Sequence, residues 1–195
     1  VTGVQTCALP IFVSCAAHKF HGPKGVGFLY IRHDVKIHPF IFGGAQERNM
    51  RGGTENVYGI IGLAKAFELA HQHMEEHQQH ISNLKSRMAT QIKAALPGVR
   101  FNGDCLGKSL YTVLNLALPE TEQAEMLLFN MDIAGIACSG GSACSSGSNA
   151  GSHVLRAIYG SEKRPSVRFS FSKFNTTEEI DFAVERLREL YTVHA

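Results

Sequence analysis

Apolar positions along this chain change period more than once, and each change marks an element. Near the start, 12–15 and 26–31 are short apolar runs that predict two buried strands, with 19–25 as the turn between them. A polar stretch with Pro39 and two Gly-Gly pairs follows. Ile60, Leu63, Ala64, Phe67 and Ala70 then recur at helical spacing. They predict a helix from near Val57 to about Ala95, capped by Thr54 or Asn56 and stopped by Pro97-Gly98. Beyond it the elements are shorter. Strands are expected over 99–102, 111–116, 136–138 and 166–171, and helices over 122–131, 152–158 and 177–192. Thr176 or Thr177 would open the last helix, with Glu179 in reach of a capping box. Such alternation, with mixed connections, predicts a small α/β layer domain, and no internal repeat is visible.

Composition narrows the function classes. With 195 residues and 44% hydrophobic content the chain can bury one sizeable core or two small ones. A net charge of +2 gives no electrostatic footprint for nucleic acid or an anionic membrane. No apolar run is long enough to span a bilayer, and the expectation is a soluble, cytoplasmic protein. Five cysteines at irregular spacing, without a CxxC pair, argue against a disulfide framework or a zinc ribbon. The segment 1–11 resembles the translation of a sequencing adapter, lacks the basic start of a signal peptide, and is set apart from fold reasoning together with Cys7. An adapter joined to a gene also implies a read broken within it.

Two segments far apart offer complementary chemistry. Ser14-Cys15-Ala16-Ala17-His18-Lys19-Phe20-His21-Gly22-Pro23-Lys24-Gly25 places a lysine at the end of an apolar strand, where open α/β sheets hold ligands. A lysine amine can carry a carbonyl cofactor, and His18 beside it can donate to a phosphate. An isolated His-Lys is most often a solvated turn, and Lys24 is a competing amine better read as a surface charge. Ser139-Gly140-Gly141-Ser142-Ala143-Cys144-Ser145-Ser146-Gly147-Ser148 places one thiol in a loop almost free of bulky side chains. Cys15, Cys105 and Cys138 read as small packed residues. Arg168 alternates with Val167 and Phe169, and its guanidinium fork suits an amino-acid carboxylate; a structural ion pair is the competing reading. Thr54 precedes a helix start, where free N–H groups favour phosphate, and can equally be a plain cap. His73-Met74-Glu75-Glu76-His77, with His80, matches an inverted zinc-protease pattern but lies on a polar helix, so a solvated face is the better reading. His153 reads as local structure at a helix start.

Taken together, the lysine turn, Arg51-Gly52-Gly53-Thr54-Glu55-Asn56, the cysteine loop, Ser152-His153-Val154-Leu155 and Arg168 resemble the cysteine desulfurases of the class-V aminotransferase family, in that family's order and spacing. Ala16, Gly53 and Gly140 stand where the family's motifs commonly have serine. The resemblance covers nearly all of 12–195 and implies the C-terminal portion of a pyridoxal-phosphate (PLP) enzyme of fold type I. It divides the chain into the end of the large PLP-binding domain (12–56), a linking helix (57–96) and a small C-terminal domain (97–195). It further implies PLP on Lys19, phosphate contacts from His18 and Thr54, the latter across a homodimer, and substrate carboxylate on Arg168. Cys144 would take sulfur from L-cysteine as a persulfide, leave alanine, and pass the sulfur to an iron-sulfur scaffold or a tRNA-thiolation partner. Cys144 could also serve as a transient iron-sulfur ligand; no resident metal is implied. The family's groups that stack on the PLP ring lie N-terminal to these residues, so the chain alone is expected to be inactive. A selenocysteine lyase or another class-V relative would share Lys19 and Arg168, and a thiol carrier or metal-binding module is the non-enzyme alternative.

Overall fold

The computed structural model describes residues 10–120, 126–140, 152–160 and 164–192. It divides into two compact units, Val1–Met74 and Glu75–Ala195.

In the first unit, β1 (Phe12–Ala16) and β2 (Gly27–Ile31) pair antiparallel from Phe12↔Ile31 to Ala16↔Gly27. One turn of 3-10 helix, Ala17–Phe20, follows β1 and ends at His21, whose φ of 66° reverses the chain. The predicted strand-turn-strand is present, with Lys19 inside the helical turn, but neither strand is buried as expected: no residue of β1 or β2 falls in the core, and Phe12, Leu29 and Tyr30 are exposed. Next comes α1 (Gln46–Asn49), in which Glu47, Arg48 and Asn49 have φ of 47°, 56° and 65°. Left-handed backbone costs a residue with a Cβ roughly 1–2 kcal/mol, so three in succession mark a strained turn. α2 (Val57–Gln72) begins at Asn56, whose side chain accepts a hydrogen bond from the Gly59 amide at 3.1 Å. Asn56 is thus the cap, and Thr54 stands two residues before it.

The helix expected to run on to about Ala95 is two helices. α2 stops at His73, and α3 (Met74–Ala95) begins directly after it. The boundary between the two compact units falls at this junction. Residue 73 is neither glycine nor proline, so propensity does not announce the break.

The second unit is a three-stranded antiparallel sheet with one helical core. β3 (Arg100–Phe101), β4 (Val113–Ala117) and β5 (Ser166–Ser170) lie in the order β3-β4-β5. Leu114 and Leu116 of β4 oppose Phe169 and Val167 of β5, and all four are buried. Ile81, Leu84, Met88 and Ile92 give α3 an apolar stripe that joins the same core. α4 (Leu127–Ile133) adds Leu127 and Met131, and α6 (Thr177–Thr192) adds Ile180, Val184 and Leu187. α5 (His153–Tyr159) starts at Ser152, whose Oγ accepts from the Leu155 amide at 3.3 Å, which leaves His153 in the ordinary helix-start role expected of it. The expected helix over 122–131 is observed only from Leu127; 121–125 lie outside the described residues. The expected strand over 136–138 is an irregular segment with a single bridge, Ser139↔Arg168. Lys85 is buried, and its ammonium donates to Ser109 Oγ (3.1 Å) and the Leu110 carbonyl (3.0 Å). Burial pushes the Lys85 ammonium below the ordinary lysine range, while the Cys105 thiol and Asp104 pull it back up.

Thr176 opens α6 by a reciprocal capping box: the Glu179 amide donates to Thr176 Oγ1 (3.3 Å), and the Thr176 amide donates to Glu179 Oε2 (3.1 Å). Arg87 of α3 grips Asp181 of α6 with two bonds of 2.7 Å, and Gln91 adds a third at 2.8 Å. Hydrogen bonds from Arg87 and Gln91 lower the Asp181 carboxyl to about 2. A depressed folded value contributes stability that is present above the unfolded value and lost as pH falls toward about 2. Asp181→Asn is therefore expected to unfold at a lower temperature than the parent near neutral pH, with the difference closing as pH drops through about 2. Thermal unfolding across acid pH checks this, and a gap independent of pH would refute it.

Candidate functional site

Lys19 and His18 are exposed side by side on the 3-10 turn, and neither side chain has a hydrogen-bond or ion-pair partner among the described residues. The turn beneath them is tightly held. Ala17 is fully buried, its amide donates to the Val26 carbonyl (3.0 Å), and its own carbonyl accepts from the Gly22 amide (2.9 Å). An uncommitted primary amine on a fixed turn beside an imidazole suits a phosphorylated aldehyde: the amine can condense with the carbonyl and the imidazole can meet the phosphate. The Lys19 amine and the His18 imidazole are thus donors of the kind that PLP would need.

Thr54 is exposed just before α2, at the exit of a loop whose two Gly-Gly pairs meet. The Gly52 amide donates to the Ile41 carbonyl (2.9 Å). A Cβ on Gly52 would lie 2.6 Å from the Gly43 nitrogen, so only glycine allows this backbone approach. The Gly53 amide donates to Gln46 Oε1 at 3.1 Å and ties the strained α1 turn to the same place. The sequence carried the signal for this staple in its paired glycines, but nothing in it indicated the left-handed run at 47–49.

Arg168 lies in the second unit, half-buried between the inward-facing Val167 and Phe169. Its Nε is buried without a hydrogen-bond partner among the described residues. Leaving a guanidinium N–H dry and unpaired is costly, and a carboxylate presents the matching acceptors. Asn115 stands directly opposite Arg168 on β4, and the Asn102 side chain donates to Asn115 Oδ1 at 2.7 Å. This amide pair was missed by sequence reading, since both residues look like ordinary strand-end polar positions.

On its other edge Arg168 pairs with Ser139. The Arg168 amide donates to the Ser139 carbonyl (2.6 Å), and the Ser139 amide donates to the Arg168 carbonyl (3.2 Å). Ser139 is the first residue of the cysteine loop, so this loop leaves the fold at the arginine. Cys144 itself lies outside the described residues. Lys19, His18 and Thr54 belong to one unit and Arg168 to the other.

Cys105 is buried, with its thiol 3.8 Å from the Asn115 carbonyl, in keeping with a packed role. Burial, then the charge of Asp132, pushes the Cys138 thiol up to about 11. Since the thiolate is the nucleophile, Cys138 is inert at neutral pH. His80 Nε2 donates to the Asn175 carbonyl at 3.0 Å. Among the described residues no group of three or more His, Cys, Asp or Glu is placed to hold a metal ion, and no helix is long and apolar enough to cross a membrane.

The family profile described as aminotransferase class-V matches residues 4–182. A cysteine desulfurase named IscS from Clostridium botulinum is 44% identical over 181 residues, covering 91% of this chain and 45% of that protein. A cysteine desulfurase from Klebsiella pneumoniae is 44% identical over 177 residues, covering 90% of this chain and 44% of its own length. A solved NifS-like protein superposes with a TM-score of 0.78 at 35% identity, over 93% of this chain and 46% of that one. A second, from Rickettsia africae, gives 0.79 at 29% identity. The chain spans less than half the length of the relatives it matches. The mixed α/β architecture is accordingly a partial PLP-dependent transferase fold of type I, as the resemblance implied.

The Cys138 assignment has a direct check. Iodoacetamide is expected to modify Cys138 far more slowly than an unperturbed thiol near neutral pH and to catch up only as pH approaches 11. Peptide mapping after timed labelling reads this, and a rate equal to that of an exposed cysteine would refute it.

Proposed function

The chain belongs to the aminotransferase class-V family, and on that premise we propose that it serves a cysteine desulfurase, a PLP-dependent enzyme that removes sulfur from L-cysteine. The observation that carries the reading is Arg168: a buried, unpartnered guanidinium N–H on a residue whose backbone also anchors the cysteine loop. One residue thereby ties a carboxylate-binding group to the root of a thiol-bearing segment.

PLP, when bound, withdraws electrons from the substrate's Cα and makes its C–S bond cleavable. Lys19 would hold the coenzyme and would move the substrate's Cα proton. His18 and Thr54 would bind the phosphate. Arg168 would fix the carboxylate by charge-assisted hydrogen bonds. The Cys144 thiolate attacks the substrate sulfur; the S–S bond forms as the C–S bond breaks. The electron pair of that bond goes to the carbon fragment, which takes up a proton and leaves as L-alanine. The persulfide on Cys144 is a reversible form that another thiol can collect, so the partners proposed are an iron-sulfur scaffold or another sulfur acceptor.

The working assembly is a homodimer in which Thr54 reaches the phosphate of the partner's coenzyme. Support comes from the large apolar side chains the first unit leaves in water: Phe40 at 92%, Tyr58 at 90% and Phe42 at 83% exposure. Apolar exposure of this kind around the Thr54 loop and the start of α2 suits a covered surface. A reducing cytoplasm fits a thiol that must stay free.

In the PLP-loaded enzyme carrying these residues, Cys144→Ser is expected to abolish sulfide release from L-cysteine in the presence of reductant while the coenzyme stays bound. Unchanged sulfide release would overturn the assignment. Activity confined to selenocysteine would instead favour a selenocysteine lyase, and stoichiometric zinc or iron without PLP a metal-binding module. Arg168→Lys is expected to raise the KM for cysteine by about 10–100-fold, the equivalent of about 1.5–3 kcal/mol for a hydrogen bond to a charged group. An unchanged KM would remove the carboxylate role.

A further inference from the structure

The lysine turn is held by more than its hairpin. Phe20, its last residue, meets Phe67 of α2 edge-on with ring centroids 6.1 Å apart. Phe67 meets Phe28 of β2 in the same way at 6.0 Å. Just past the turn, a Cβ on Gly22 would lie 2.9 Å from the Ala17 Cβ and 3.2 Å from the Ala66 Cβ. One helical turn before Ala66, Gly62 faces Pro23. A Cβ built on Gly62 would lie 2.6 Å from Pro23 Cγ and 3.2 Å from Cδ. Lys19 therefore sits directly before a stretch, Phe20 to Pro23, that rests on the α2 face formed by Gly62, Ala66 and Phe67.

We propose that Gly62 is a positioning residue for Lys19: by lacking a side chain it lets α2 close on Pro23, and so sets the place from which the lysine amine is presented. The inference rests on Lys19 being the coenzyme-bearing lysine. Carbon atoms in good contact are about 3.5–4.0 Å apart, so a Cβ at 62 requires a displacement of about 1 Å. The pyrrolidine ring of Pro23 cannot rotate out of the way as the tip of a long side chain can. The turn carrying Lys19 has to move, or the helix does. A shift of about 1 Å in a reacting group can cost on the order of 100-fold in rate. Propensity alone predicts the opposite sign, because alanine is the better helix former at position 62.

The test uses the PLP-loaded enzyme carrying these residues, with Gly62→Ala, Gly62→Val, Pro23→Ala, and the pair Gly62→Ala with Pro23→Ala. Three quantities are read: kcat against KM, the pH at which the bound coenzyme's absorbance changes, and the lysine found modified after borohydride reduction. Gly62→Val is expected to lower kcat by about 10–100-fold with KM held, and to shift the absorbance transition, with Gly62→Ala smaller in both. Pro23→Ala is expected to restore Gly62→Ala, because it removes the atoms a Cβ would strike; a merely destabilised helix would not be rescued this way. Unchanged kcat and transition in both Gly62 variants, with the coenzyme still on Lys19, would overturn the positioning role alone. The same holds if Pro23→Ala fails to restore an impaired Gly62→Ala. Reduction that marks no adduct on Lys19 in the parent would overturn the lysine assignment itself, and the positioning role with it.

Discussion

The pairing of Ser139 with Arg168 does two things at once. It gives β5 a neighbour on the edge that β4 does not occupy, and it fixes the start of a segment whose sequence is mostly glycine, serine and alanine. Without those two backbone bonds a stretch of glycine and serine would have no defined departure point. The Arg168 guanidinium and the loop root share one residue because one strand position serves both: its backbone faces the edge, and its side chain projects out of the sheet opposite Val167 and Phe169.

The first unit solves a different problem with different means. A two-stranded hairpin is marginal on its own, and here it is braced by backbone approach and aromatic edges from α2. Side chains that project from α2 and the loop before it into water include Tyr58 and Ile61, whose exposure is out of keeping with a free surface. The unit thus combines a rigid interior around Ala17 with an exterior that solvates poorly. This division fits a piece whose chemistry depends on being precisely held from one side and covered from the other.

Much of this was legible in the sequence because the relevant signals are local. The strand-turn-strand around Lys19, the cap of α6 by Thr176 and Glu179, and the alternation that places Arg168 all follow from short-range patterns. What escaped was non-local or unmarked. The break at His73 sits within a continuous helical pattern, and the burial of Lys85 depends on carbonyl and hydroxyl groups more than twenty positions away. The left-handed turn at 47–49 is formed by residues that carry no local signal for it, and Gln46 beside it accepts from the Gly53 amide seven positions away. The expected strand at 136–138 reduced to one bridge because only Ser139 comes within hydrogen-bonding reach of β5.

The fixed root at Ser139 also limits geography. Four residues lie between it and Cys144, and a fully extended chain advances about 3.3–3.6 Å per residue, so five steps bound the Cys144 Cα to within about 18 Å of Ser139. If sulfur leaves on Cys144, whatever receives it must come inside that radius. The acceptor's own protrusion, not the donor's reach, then decides which proteins can be served.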